Sequence, residues 1–143
     1  MRSSISVLTL VLAGCPAPTT PTTQAPAQPV QTTFEHLDLD HRIDFMKAVV
    51  VPKMRPVFQN HDAKKFSNFG CPTCHGAGAT TGDYEMPNTD LPKLDFSDLS
   101  KFQQVDLDWM QSEVKPTMAR LLEMPESTRT RKGFGCLSCH TKP

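Results

Sequence analysis

Two pentapeptides constrain this chain more than anything else in it: Cys71-Pro72-Thr73-Cys74-His75 and Cys136-Leu137-Ser138-Cys139-His140. In each, two thiols three positions apart share one turn, with an imidazole directly after them. Each also follows a Phe-Gly pair, Phe69-Gly70 and Phe134-Gly135. Zinc sites use C-x-x-C pairs. Here, though, 61 residues separate Cys74 from Cys136, far more than a compact ribbon needs, and zinc has no use for a histidine after both pairs. A thioredoxin-type C-x-x-C requires one pair, a βαβ pattern and a lowered thiol pKa; no such pattern is visible. Covalent haem attachment uses every residue of the motif. Each thiol bonds a vinyl group, and the imidazole reaches the iron from the proximal side.

The duplicated motif resembles that of dihaem c-type cytochromes. The resemblance implies two covalently attached haem c groups, held by Cys71, Cys74, Cys136 and Cys139, with His75 and His140 as proximal iron ligands. Composition agrees with a cofactor-filled interior. Thirteen prolines and 38% hydrophobic residues make a thin core for 143 residues. Two macrocycles would add the apolar surface that a small domain needs. Lys+Arg and Asp+Glu balance at 15 each, so no basic footprint argues for nucleic acid.

Residues 1–14 read as an export signal, with Arg2 at its start and a nine-residue apolar region from Ile5 to Ala13. That region is too short to span a bilayer. Leu12-Ala13-Gly14-Cys15 resembles a bacterial lipobox, which implies lipidation of Cys15 and a membrane anchor without a spanning segment. The odd cysteine count then resolves: four carry haem and the fifth carries lipid. Residues 15–33 are Pro- and Thr-rich, without charge or aromatics, and read as a disordered, semi-stiff tether. Export and lipidation place the chain on the periplasmic or outer side of a bacterial membrane.

Order is expected from Phe34, and residues 34–143 form the cytochrome domain. From about His41 to Asn60, Ile43, Met46, Val50, Met54 and Val57 recur at helical spacing. Pro52 and Pro56 predict a kink or restart there. Asp62 to Phe66 predicts a short capped turn. Residues 76–98 read as an extended loop wrapping haem. A second helix is predicted from about Leu99 to Met124, with Phe102, Val105, Trp109, Val114, Met118 and Leu121 or Leu122 for its apolar face; residues 125–132 are a polar, basic connector. No strand is predicted. The fold class is mainly α, a small haem-cored helical domain with long loops.

The chain also repeats itself. Asp44-Phe45-Met46, Val50, Pro52 and Met54 align without a gap on Asp108-Trp109-Met110, Val114, Pro116 and Met118, with five of fifteen positions identical. Met54 precedes Cys71 by 17 residues and Met118 precedes Cys136 by 18. The unit, about 44–75 and 108–140, is a helix with a methionine, a connector, then Phe-Gly-Cys-x-x-Cys-His. It resembles the building block of the tetrahaem cytochrome subunit of photosynthetic reaction centres. In that family the helix supplies a distal methionine to the iron.

The sixth ligand is therefore sought among methionines. A soft thioether favours ferrous iron. His36, His41 and His61 have no counterparts in the second unit and read as surface residues. Met86 resembles the loop methionine of single-haem cytochromes. Only Thr141-Lys142-Pro143 follow His140, so the second haem's ligand should come from upstream: Met110, Met118 or Met124. Repeat symmetry favours Met54 and Met118, with Met46 and Met110 as alternates. A methionine stripe at helical spacing is also what core filler looks like.

The expected function is single-electron transfer between redox proteins of the cell envelope, not catalysis. A small haem enzyme or gas-binding protein would need an open sixth position with a distal acid, base or donor, and no such cluster stands out. A wiring subunit of a larger redox complex is the other alternative.

Overall fold

In a computed structural model, residues 33–143 are described. The predicted leader, the lipobox with Cys15, and the tether up to residue 32 lie outside them. A 3-10 turn at Phe34–His36 opens the domain. Asp38 caps the first helix, its carboxylate accepting from the His41 backbone N–H at 3.0 Å.

That helix runs unbroken over residues 39–61 as α1 (Leu39–Phe45), a π segment (Met46–Val50) and α2 (Val51–His61). The expected kink is instead a widening of the coil just before Pro52. A proline cannot donate to the carbonyl four residues back, and its ring crowds the preceding turn. The ladder yields one residue earlier: the Val51 N–H reaches the Met46 carbonyl, five residues back. Pro56 is carried inside α2 without a break.

The second helix repeats this design. It comprises α4 (Gln104–Trp109), a π segment (Met110–Val114) and α5 (Lys115–Leu121), with Lys115 N–H bonded to the Met110 carbonyl just before Pro116. The π segments stand 64 positions apart in register, so the sequence repeat is also a backbone repeat. The loosening lies at Met110–Val114, upstream of Pro116, and Met118 sits in regular α5. α2 packs on the second π segment and α5 on the first, a reciprocal crossing.

Two expectations for the second helix need correcting. It starts at Gln104 rather than Leu99, because Asp95 and Asp98 bind the Ser97 and Ser100 backbone N–H groups at 2.9 and 3.0 Å. Such turns compete with helix. Val105 is 60% exposed and belongs to no apolar face. At the other end Glu123 takes a left-handed φ of 55°, and Met124 N–H closes on the Ala119 carbonyl at 2.9 Å.

The core lies at the crossing: Val50, Met54, Phe58, Phe69, Ala119, Leu122 and Phe134, with Trp109, Met118 and Leu121 against it. Burying each larger apolar side chain is worth about 1.5–3 kcal/mol. Phe58 centres an aromatic group, 4.7 Å from Phe69 and 4.9 Å from Trp109. Among the described residues there is no strand, only an isolated bridge between Glu126 and Phe134. None of their helices is long and apolar enough to cross a membrane.

Candidate cofactor cavity

Each C-x-x-C-H begins where an extended glycine enters a turn. Gly70 and Gly135 have φ of −172° and −153°, and each follows a buried phenylalanine, Phe69 or Phe134. The turn closes through the residue before the second cysteine. Gly70 N–H donates to Thr73 Oγ1 at 3.1 Å, and Gly135 N–H to Ser138 Oγ at 3.0 Å. The first motif continues as the short helix α3 (Cys71–His75), and the second as a 3-10 turn (Cys136–Ser138). Pro72 occupies the first turn of α3, where a missing N–H leaves no gap.

Both motifs open on one cavity of about 520 Å³ between the two long helices. Cys71, Cys74, His75, Cys139 and His140 line it together. So do all the methionines expected as ligands: Met46, Met54, Met86, Met110, Met118 and Met124. Met54 is the most enclosed, at 2% exposure. The remaining wall is mostly aliphatic and aromatic, and Arg42 is its one cationic side chain apart from histidine. Cys136 is the predicted site residue that does not reach the cavity. It is exposed and lines a shallow basin, with Ser138 shared between the two.

The two imidazoles are held differently. His140 Nδ1 lies 2.9 Å from the Pro92 carbonyl oxygen, which can only accept. Nδ1 therefore carries the proton, and Nε2 keeps its lone pair for a metal. His75 Nδ1 is buried with no hydrogen-bond partner, and Tyr84 packs edge-on against the ring at 5.5 Å. Burial pushes the His75 pKa down, against smaller opposing pulls from the Tyr84 backbone and the Asp83 carboxylate. A neutral imidazole is the form that binds iron.

Two of the thiols inside, Cys74 and Cys139, are held neutral. Burial raises Cys74 to about 12, with Cys139 and Cys71 adding to the shift. Burial likewise raises Cys139 to about 11, with Cys136 adding. Thioethers, the form that covalent haem attachment would give these sulfurs, carry no charge and suit such an apolar wall. Among the described residues no three His, Cys, Asp or Glu side chains converge as a metal ion would require.

The loop after α3 ties the two motifs together, a role its sequence did not reveal. Buried Asn88 donates through Nδ2 to the Cys74 carbonyl at 3.1 Å, and its backbone N–H donates to the Cys139 carbonyl at 2.9 Å. Asn88 Oδ1 accepts from Asp90 N–H at 2.8 Å, and Leu94 N–H reaches the Thr141 carbonyl at 2.9 Å. Residues of the loop between the two units thus position the histidine of the second. The loop is irregular as expected, apart from a 3-10 turn at Ala77–Thr80.

His61 departs from expectation. It is stacked 3.9 Å from Trp109 with the rings nearly parallel, and hydrogen-bonded to Asp106 at 2.7 Å, leaving its side chain 15% exposed. It pins the end of α2 to α4. His36 and His41 are exposed, as expected.

The chain matches no family model, and no curated protein or solved structure is significantly similar to it.

Proposed function

We propose that this chain is a lipid-anchored dihaem c-type cytochrome that passes single electrons on the outer side of a bacterial membrane. One observation supports the reading most: motifs 65 positions apart and every candidate methionine line one apolar cavity. Bound haem supplies reversible one-electron chemistry between ferrous and ferric iron. The chain's residues supply the rest. Cys71, Cys74, Cys136 and Cys139 would tether it covalently, while His75 and His140 would present imidazole nitrogens to the iron. Met54 and Met118 offer thioethers from equivalent places in the two helices.

The cavity also suits a ligand that is apolar with carboxylates at its edge. Arg42 lines it with a buried Nε that has no hydrogen-bond partner. Its Nη2 is engaged by the Glu35 carbonyl at 2.7 Å, so the guanidinium is fixed in place. The Asn88 loop sets the spacing of the two motifs, and the aliphatic wall keeps water from the ligand atoms.

A redox titration of the holoprotein tests the ligand assignment. Met118→Ala should lower the potential of one haem, within the roughly 0.8 V range that axial ligands span. It should also weaken the far-red band of methionine bound to ferric iron. The other haem should change little, since separate sites respond independently. Met110→Ala should cost packing only. The reverse outcome would make Met110 the ligand.

The anchor is tested separately. Wild-type protein should partition with membranes, whereas Cys15→Ser should remain unprocessed or be released. Identical processing and solubility of both would contradict lipidation at Cys15. An anchored domain meets redox partners within a tether's length of the bilayer.

A further inference from the structure

The motif residue that leaves the main cavity points to a second surface. Cys136 sits in a shallow basin of about 750 Å³ that includes the loop 127–133. Arg129, Arg131 and Lys132 line this basin, and no acidic residue does. Among the described residues none of these three cations forms a salt bridge, whereas nearby Lys115 is paired with Glu126 at 3.2 Å. Phe96 and Leu137, two of the large apolar side chains left exposed, at 54% and 37%, also line the basin. Asp95 and Asp98 flank Phe96 in sequence but are bonded to Ser97 and Ser100 and do not line it.

The loop is closed on itself. Ser127 N–H donates to the Phe134 carbonyl at 2.8 Å, Phe134 N–H to the Pro125 carbonyl at 2.8 Å, and Thr128 N–H to the Arg131 carbonyl at 2.9 Å. Gly133 and Gly135 leave no room for a side chain against Pro125 and Ser127. Cations on a braced loop lose little freedom on binding. In a chain with a formal net charge of zero, three uncompensated cations around exposed apolar groups are a local departure.

We propose that this basin is the docking surface for an acidic protein, with Phe96 and Leu137 at its contact and Arg129, Arg131 and Lys132 steering it by charge. A concave basin receives a convex protein surface, whereas a bilayer is flat. Only the partner's being a redox protein rests on the reading above: it would then meet the chain at an attachment cysteine. Complementary charge chiefly speeds encounter and confers salt dependence.

Fluorescence anisotropy of labelled flavodoxin, a small acidic redox protein, tests this against full-length protein in neutral detergent micelles. Affinity should fall as salt rises, and Arg129→Glu with Lys132→Glu should weaken it about tenfold or more. That pair spares Arg131, whose Nε bonds the Glu126 carbonyl at 3.2 Å and braces the loop. Leu137→Ser should weaken binding without changing its salt dependence. Equal affinity of wild type and the charge-reversed pair would overturn the proposal. So would a wild type that leaves flavodoxin unbound at low salt yet binds phosphatidylglycerol through the same cations, which would assign the face to anionic lipid. The haem spectrum of each preparation is read alongside. A missing spectrum contradicts the electron-carrier reading, while the docking surface stands or falls on the binding curve.

Discussion

Met54→Ala is expected to lower the stability of the domain by about 2 to 5 kcal/mol, the range for truncating a buried methionine. Met54 is 2% exposed and packs among Val50, Phe58, Phe69 and Phe134, where both long helices meet. Little around it can collapse into the space, because Phe58 is already braced against Phe66, Phe69 and Trp109. Denaturant unfolding of the holoprotein measures the loss. The alanine variant cannot separate a core methionine from an iron ligand, but Met54→Leu can. Leucine keeps the volume and should cost less than about 1.5 kcal/mol, while removing the sulfur. If Met54 binds iron, Met54→Leu folds stably yet loses one far-red methionine–iron band. An unchanged spectrum would leave Met54 as packing alone and move the ligand to Met46 or Met86.

Gly76→Ala should be a strongly damaging single-carbon change beside the first motif. Gly76 has φ of 65° and ψ of −164°, a region that costs other residues about 1–3 kcal/mol. A Cβ there would also lie 2.7 Å from Asn88 Nδ2 and collide with the Asp90 carboxylate. Asn88 cannot step aside without releasing the Cys74 carbonyl, and an unpaired buried polar group costs a further ~1–3 kcal/mol. Asn88→Ala should reproduce that second part, so the double variant should be less damaging than the sum of the two. Unfolding of the three variants measures the coupling. A Gly76→Ala loss within about half a kcal/mol, the size of an ordinary surface substitution, would show that the loop does not clamp the motifs.

Helical periodicity and repeat register made the two long helices legible. Val50, Met54, Leu122 and Trp109 fall where an apolar face places them, and the duplicated Met, Val and Pro mark the duplicated π segments. Proline alone did not say how the helix would yield. The strain at Pro52 and Pro116 is relieved upstream by one wider turn, which keeps both helices whole. Periodicity also overextended the second helix, because Asp95-Phe96-Ser97 and Asp98-Leu99-Ser100 satisfy their own backbone through side chains. Pairing Thr73 with Ser138 by position in the motif would have found the two turn-closing hydroxyls. No local signal could have found Asn88 or the Pro92 carbonyl. Both act on Cys139 and His140, some fifty residues further along, and only the folded chain brings them together. Stacking of His61 on Trp109 is non-local in the same way.

Intact mass measures the number and linkage of the cofactors most directly. The full chain is matured in a bacterial host that carries c-type haem machinery, and again in one that lacks it. The first product should be heavier by two haem groups, and the added mass should survive acid–acetone extraction. A product carrying one haem, haem that the solvent removes, or bound zinc would contradict the dihaem account.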